Sequence, residues 1–326
     1  QKNVGIVMNT IPLIFNERQI DRTVLGGSRI NANAKMNISV IMLNSSGSQF
    51  RIQTIEKLLN CGFKSIVSFE PDSDNFNIED ISHRFPDVKF VIPLEKVSTG
   101  DLINMGMSEV DSEYVLVIKD SINVPGGILL PNLAERLTKD SVYCVVPRLL
   151  NFEKQSIPIQ FVPSALKGKF RVDSYSYVVD GMPTLYPFDY VGLYNRDKFI
   201  KLGGFDYTIT NPYWQNLDLS LRAWLWGERI QLSTTFQLSY TTDEPIENYT
   251  PDLSYLRFYL KNILPKFKAD HGVISPLSFF LFMMNSSCGV IESIRQFSDA
   301  KNWVEKNKYR FTCDVQNLIE MWEQKQ

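Results

Sequence analysis

From Asn37 to Ile118, short apolar runs alternate with stretches whose apolar residues recur at helical spacing. Ile38-Ser-Val-Ile-Met-Leu43 is short and apolar, and the breaker cluster NSSGS follows it, which predicts a buried strand. Ile52, Ile55, Leu58 and Leu59 then share one helix face, and Gly62 closes that helix. Ser65 to Phe69 is the second strand, followed by the polar loop EPDSDN, and IEDISHRF is a short helix. Val88 to Ile92 is the third strand, TGDLINMGMSEV the next helix and Tyr114 to Ile118 the fourth strand. This βαβαβαβ order predicts a mostly parallel sheet with helices on both faces. Right-handed crossovers make it a Rossmann-like layer.

Beyond Val145 the regularity weakens. LKGKFRVDSYSY (Leu166 to Tyr177) reads as an exposed basic loop or hairpin. From about Leu253 the pattern is helical, through LSYLRFYLKNILPKF and on to Val315–Glu323. The run Leu277 to Met284 is too short for a bilayer, which needs ~20 residues. It reads as a buried helix, with peripheral contact on a membrane face as the second reading. Residues 1–36 offer a strand at Val4 to Met8 and a Gly-Gly turn, with no role assigned.

Composition narrows the function classes. The chain has 326 residues, 44% of them hydrophobic, enough for a full core. Its formal net charge of −2 gives no basic field of the kind that draws nucleic acid, so an anionic partner must be held locally. The four cysteines (Cys61, Cys144, Cys288 and Cys313) form no C-x-x-C, which fits reduced thiols and a cytoplasmic protein. With two histidines, His83 and His271, a multi-histidine metal centre is nearly excluded. QKNVGIVMNT lacks the apolar run of a secretory signal. P-loop and dinucleotide fingerprints are absent, and LNSSGSQF is not the Gly- and Arg-rich loop of a nucleotidyltransferase.

In open α/β sheets ligands sit beyond the carboxyl ends of the strands. Three loops qualify here: Leu43 to Ser48, Phe69 to Asp74 and Lys119 to Asn123. Polar and acidic residues there suit a nucleotide, one carboxylate on ribose or base and another on a cation bridging diphosphate oxygens. A single acidic loop tip can equally be solvated surface. The order of segments adds to this: ISVIMLNSSGSQFRIQTIEKLL, KSIVSFEPDSDN, TGDLINMGMSEVDSEYVLVIKDS, then YVGLYNRDKFIKLGGFDYTITNPYWQNLDLSLRAWLWG. Over residues 37–240 the chain resembles the inverting family 2 glycosyltransferases of GT-A type. The resemblance implies a GT-A fold with a C-terminal helical extension. It divides the chain into an N-terminal extension (1–36), a nucleotide-sugar-binding half (37–145), an acceptor-side half (146–250) and the extension (251–326). It implies transfer of a sugar, with inversion, from a nucleotide-diphosphate sugar to a hydroxyl on a saccharide, a lipid-linked or a protein acceptor. A non-catalytic sugar- or partner-binding module on the same fold is the alternative.

The resemblance also assigns residues. The first-strand loop falls on Leu43, Asn44 and Ser45, and the nucleoside carboxylate on Glu70 or Asp72. Asn104 and Gly106 match an N-x-G, and Gly203 to Asp206 a GGFD turn. Asp218 to Arg222 match the start of an acceptor-side helix, where Asp218 either touches acceptor or serves the helix dipole. Two motifs depart from the pattern. The D-x-D that holds a divalent cation in the family reads Lys119-Asp120-Ser121, so Mg²⁺ or Mn²⁺ is expected to bind weakly, through Asp120 and Ser121. Lys119 is either a solvent-facing strand end or a fixed ammonium for the departing diphosphate. The acidic pair that supplies the base reads Gln215 and Asn216, and an amide cannot take the proton. Asp218 and Asp206 are the remaining candidates for that role.

Trp214 is expected in a loop, as a stacking face for sugar beside Gln215 and Asn216, and Trp224 in the core. Lys167, Lys169 and Arg171 are either an anion clamp or solvated surface, and His271 is read as structural.

Overall fold

The computed structural model describes residues 18–27, 34–44, 51–70, 77–124, 129–279 and 289–323. Four strands form the centre: β2 (Ile38–Leu43), β3 (Ser65–Phe69), β4 (Val88–Pro93) and β5 (Tyr114–Lys119). They lie parallel in the order β4-β3-β2-β5. Every residue of β2 is buried, as expected of a parallel strand covered on both faces. Helices α1 (Arg51–Leu59), α2 (Ile78–Arg84) and α3 (Thr99–Glu109) make the crossovers. Helix α3 opens on a capping box in which Ser98 and Asp101 satisfy each other's backbone N–H groups. It passes so close to the sheet that a Cβ on Gly106 would lie 2.5 Å from Ile41 Cδ1, so the position needs glycine.

The sheet continues through strands the apolar pattern does not announce. β1 (Arg22–Gly26) pairs antiparallel with β4 at the edge, and β10 (Gly192–Asn195) pairs antiparallel with both β5 and β7 (Cys144–Leu150). β11 (Ile230–Tyr240) runs parallel to β7, and short β6 (Ile122–Asn123) closes the far edge antiparallel to β11. The nine strands therefore run β1-β4-β3-β2-β5-β10-β7-β11-β6. Of these, β2, β3, β4, β5, β7 and β11 point one way, and the sheet is mostly parallel. The basic stretch is the turn and outer strand of a hairpin, β8 (Gln160–Leu166) with β9 (Lys169–Tyr175), which turns at the exposed Lys167 and Gly168 while the first four residues of β8 are buried.

Helices α4 (Pro131–Thr138), α5 (Arg196–Leu202) and α6 (Pro212–Leu225) follow the later strands. Asn211 caps α6, accepting from the N–H groups of Tyr213 (3.0 Å) and Trp214 (3.4 Å), with Pro212 in the first turn. The helix thus begins at Pro212 and not near Asp218, which puts Trp214 in its first turn and Asp218 in its middle. The C-terminal region holds α7 (Leu253–Phe258), a π-helical turn (Tyr259–Ile263), a hairpin of β12 (Lys266–Lys268) and β13 (His271–Val273), then α8 (Val290–Asn307) and α9 (Val315–Glu323). The predicted strand at Val4 to Met8 and most of the apolar run 277–284 lie outside the described residues. Among the described residues no helix is long and apolar enough to cross a membrane.

Candidate functional site

The order β4-β3-β2-β5 places a topological switch between β2 and β5, the position at whose carboxyl ends open α/β sheets seat their ligands. Leu43 is in register with both Phe69 and Lys119, so the residues that follow, Asn44, Glu70 and Asp120, share one edge. The Asp120 N–H donates to Leu43 O at 3.0 Å and stitches that edge together.

At the end of β3 Glu70 is fully buried and ion-paired to Arg51. It also accepts from Ser68 Oγ and Asn44 Nδ2, both at 3.0 Å. Burial pushes its carboxyl above the usual range, against the pull of Arg51. Glu70 therefore holds Asn44 and Arg51 in place and has no surface of its own. Asn44 Oδ1 and Arg51 Nε are buried with no hydrogen-bond partner among the described residues, an unsatisfied acceptor and an unsatisfied donor beside Glu70. No sequence pattern singles out Arg51. Asp72 and Ser45 lie outside the described residues.

At the degenerate metal motif, Lys119 is ion-paired to Asp189, whose other oxygen accepts from Tyr240 Oη at 3.1 Å. Lys119 is thus not a free strand-end lysine. Asp189 is buried, and burial raises its carboxyl above the usual range despite Lys119 and Tyr240. Asp120 is buried, and the backbone oxygen of Ser121 accepts from Thr241 N (2.8 Å) and Thr241 Oγ1 (2.9 Å). Among the described residues no group of three or more His, Cys, Asp or Glu side chains could hold a metal ion. An ammonium tied to a carboxylate stands at Lys119 beside Asp120, so these residues do not fit a divalent cation.

The residues expected on the acceptor side are built into the frame. The Gln215 side chain accepts from Gly100 N (2.9 Å) and donates to Ser98 Oγ (2.8 Å) and Asp206 O (3.1 Å), joining α6 to α3. Asn104 adds a second link, accepting from Phe205 N (2.9 Å) and donating to Phe205 O (2.8 Å). It therefore fixes the GGFD turn, where Gly203 and Gly204 take φ of 90° and 68°. Asn216 Nδ2 donates to Pro187 O at 2.7 Å, while its Oδ1 is buried without a partner among the described residues.

Asp218 sits mid-helix, fully buried, and accepts from Arg222 Nη1 (2.6 Å) and Asn262 Nδ2 (2.7 Å), with Lys261 Nζ at 3.3 Å. The helix-dipole reading does not hold for a mid-helix position. Asp206 accepts from Lys261 Nζ (2.7 Å) and from Thr208 N (2.8 Å) and Oγ1 (2.7 Å). Burial pushes its carboxyl up, but Lys261 and Thr208 outweigh it and hold it well below the usual carboxylate range. Lys261 itself lies 4.6 Å from the Trp303 ring centroid. Asp218 therefore bolts the C-terminal region to α6, and Asp206 bolts it to the turn that precedes α6; a carboxylate that Lys261 holds below its usual range, as it does Asp206, is a poor proton acceptor at neutral pH. Trp214 has no open face for a sugar: it is buried among Tyr213, Tyr255 and Phe258, and its indole N–H donates to Thr250 O at 3.1 Å. Trp224 is half-buried, edge-on to Trp322 at 4.7 Å. His271 pairs with Asp270 at 2.8 Å.

What draws the site together is the segment Tyr186 to Tyr190. Tyr186 Oη donates to Glu247 (2.7 Å), Pro187 O accepts from Asn216, Asp189 holds Lys119, and Tyr190 Oη donates to Pro212 O (2.6 Å). Asp189 and Tyr190 take φ of 53° and 63°, a rare backbone for side chains of this size, of the kind that gathers at functional sites.

Fold and crevice together define the class: the chain has the GT-A glycosyltransferase fold. It is similar to GalNAc-T7, solved with UDP, GalNAc and Mn²⁺, over 89% of this chain and 56% of that one, at 12% identity and a TM-score of 0.60. S. aureus TarS is similar over 86% and 45%, at 12% identity and a TM-score of 0.49. The mannosyltransferase PcManGT of Pyrobaculum calidifontis, in complex with GDP-Man and Mn²⁺, is similar over 88% and 73%, at 10% identity and a TM-score of 0.46. The chain thus spans little more than half the length of GalNAc-T7 and less than half that of TarS. Neither a family model nor a curated protein matches it.

Proposed function

We propose that the chain binds a nucleotide-diphosphate sugar at the β2/β5 crevice and transfers the sugar to an acceptor hydroxyl with inversion, as the family 2 glycosyltransferases do. The observation that carries this reading is the pair of buried, unpartnered atoms Asn44 Oδ1 and Arg51 Nε, both on side chains that bond Glu70 at the switch point of a GT-A sheet. Buried polar atoms are rarely left without partners, and one acceptor beside one donor suits the edge of a nucleobase. The diphosphate then extends along the edge toward Lys119, and the acceptor enters from the side of Asn216 and Glu247. No step is assigned to a metal.

The second reading, a non-catalytic sugar- or partner-binding module, draws on Gln215, Asp206 and Asp218, all consumed in structural bonds. Release of nucleoside diphosphate from a panel of UDP-, GDP-, CDP-, ADP- and dTDP-sugars, with mixed saccharide, lipid-linked and peptide acceptors, separates the two. Transfer predicts acceptor-dependent release from one nucleotide class. Nucleotide binding with no release under any condition favours the module.

A further inference from the structure

We infer that Glu247, on the loop after β11, is the group that takes the proton from the acceptor hydroxyl; this rests on the transferase reading above. Three observations converge on it. Gln215 and Asn216, where the family resemblance leads one to expect an acidic pair, are amides, and Asp206 and Asp218 are tied to Lys261 and Arg222. Glu247, by contrast, makes no salt bridge among the described residues, and its bonded partner is Tyr186 Oη at 2.7 Å. It meets the same short segment that receives Asn216, whose buried Oδ1 is an acceptor with no partner among the described residues. That segment also carries Asp189, the partner of Lys119.

The electrostatics suit the role. Burial first, and then the negative charge of Asp189, push the Glu247 carboxyl up to about 7, against the lowering effect of the Tyr186 bond. A base works best with a pKa near the working pH. The groups facing it are Asp189 and Tyr190 from the segment, Tyr213 from α6 and Tyr240 from β11. Burial moves all these phenols above their ordinary range, which leaves Asp189 as the other carboxylate among them. In the step itself the acceptor O–H proton passes to Glu247 as the acceptor oxygen bonds to the anomeric carbon. The bond from that carbon to phosphate oxygen breaks, its electron pair leaving on the nucleoside diphosphate, and Glu247 later returns the proton to water.

The test is the pH profile of nucleoside diphosphate release for wild type, Glu247→Gln and Tyr186→Phe, with nucleotide binding followed separately by thermal shift. The wild type should gain rate as pH rises through about 7. Glu247→Gln should lose that limb and about 10²–10⁴-fold in kcat while nucleotide still shifts its melting temperature. Tyr186→Phe keeps the ring but removes the bond that favours the carboxylate, so its limb should move to higher pH. A merely structural role for Tyr186 would not move the limb, so the inference stays testable even if Glu247→Gln fails to fold. Unchanged kcat and limb in Glu247→Gln would overturn the inference and leave the transferase reading standing. Nucleotide binding without release in the wild type would overturn the inference in favour of the binding module. Absence of any nucleotide shift would overturn the transferase reading itself, and the inference with it.

Discussion

Asp218→Asn is expected to destabilise the protein by about 3–5 kcal/mol while removing no group that performs chemistry. The carboxylate is fully buried against Arg222, with Lys261 and Asn262 closing the shell. Taking one partner from a buried ion pair leaves the other charge in a low dielectric, and such losses run to about 3–5 kcal/mol. The amide keeps the shape but offers one oxygen where the carboxylate offered two. It also turns N–H groups toward the Arg222 and Lys261 cations. Urea unfolding should show a lower midpoint with an unchanged slope, because the surface exposed on unfolding stays the same. The folded fraction of Asp218→Asn should still bind nucleotide. Full stability with lost turnover would reverse the assignment and return Asp218 to the chemistry.

The second large effect falls on Lys119. It stands at the first post of the D-x-D, held by Asp189, at the carboxyl end of β5 where a diphosphate would lie. Hydrogen bonds to charged groups contribute about 1.5–3 kcal/mol. Lys119→Met should therefore weaken nucleoside diphosphate binding about 10- to 100-fold, read as Kd by calorimetry. Lys119→Arg, which keeps the charge, should retain most of the affinity, and Mn²⁺ should not rescue Lys119→Met. Equal affinity in wild type and Lys119→Met would place the diphosphate away from this post.

Much of the frame was legible because parallel strands buried on both faces write themselves as unbroken apolar runs. Ile38–Leu43 and Tyr114–Lys119 are of this kind. Their order fixed the crevice, and Asn44, Glu70 and Asp120 lie on its edge. β10 was less legible: its four residues continue straight into α5 with no breaker between them. The roles of the carboxylates were hidden for a different reason. The partners of Asp218 and Asp206 on the C-terminal region lie 43 and 55 residues away, and no local pattern reports a pairing at that distance. Asp189 is 70 residues from Lys119, and Glu247 61 from Tyr186. Glu247 sits in TTDEPIENYT, which reads as a solvated turn until the fold brings Tyr186 to it.

The central claim is that a nucleoside diphosphate binds at the β2/β5 edge, and a thermal-shift panel tests it most directly. UDP, GDP, CDP, ADP, dTDP and their sugars are compared in EDTA and in Mg²⁺ or Mn²⁺, on wild type and Asn44→Ala. A ligand at ~100 times its Kd adds about 2.7 kcal/mol to stability. The account predicts that one nucleotide class raises the melting temperature of wild type in EDTA as well as in metal, and that Asn44→Ala loses most of the shift. No shift from any nucleotide, or an undiminished shift in Asn44→Ala, would contradict it.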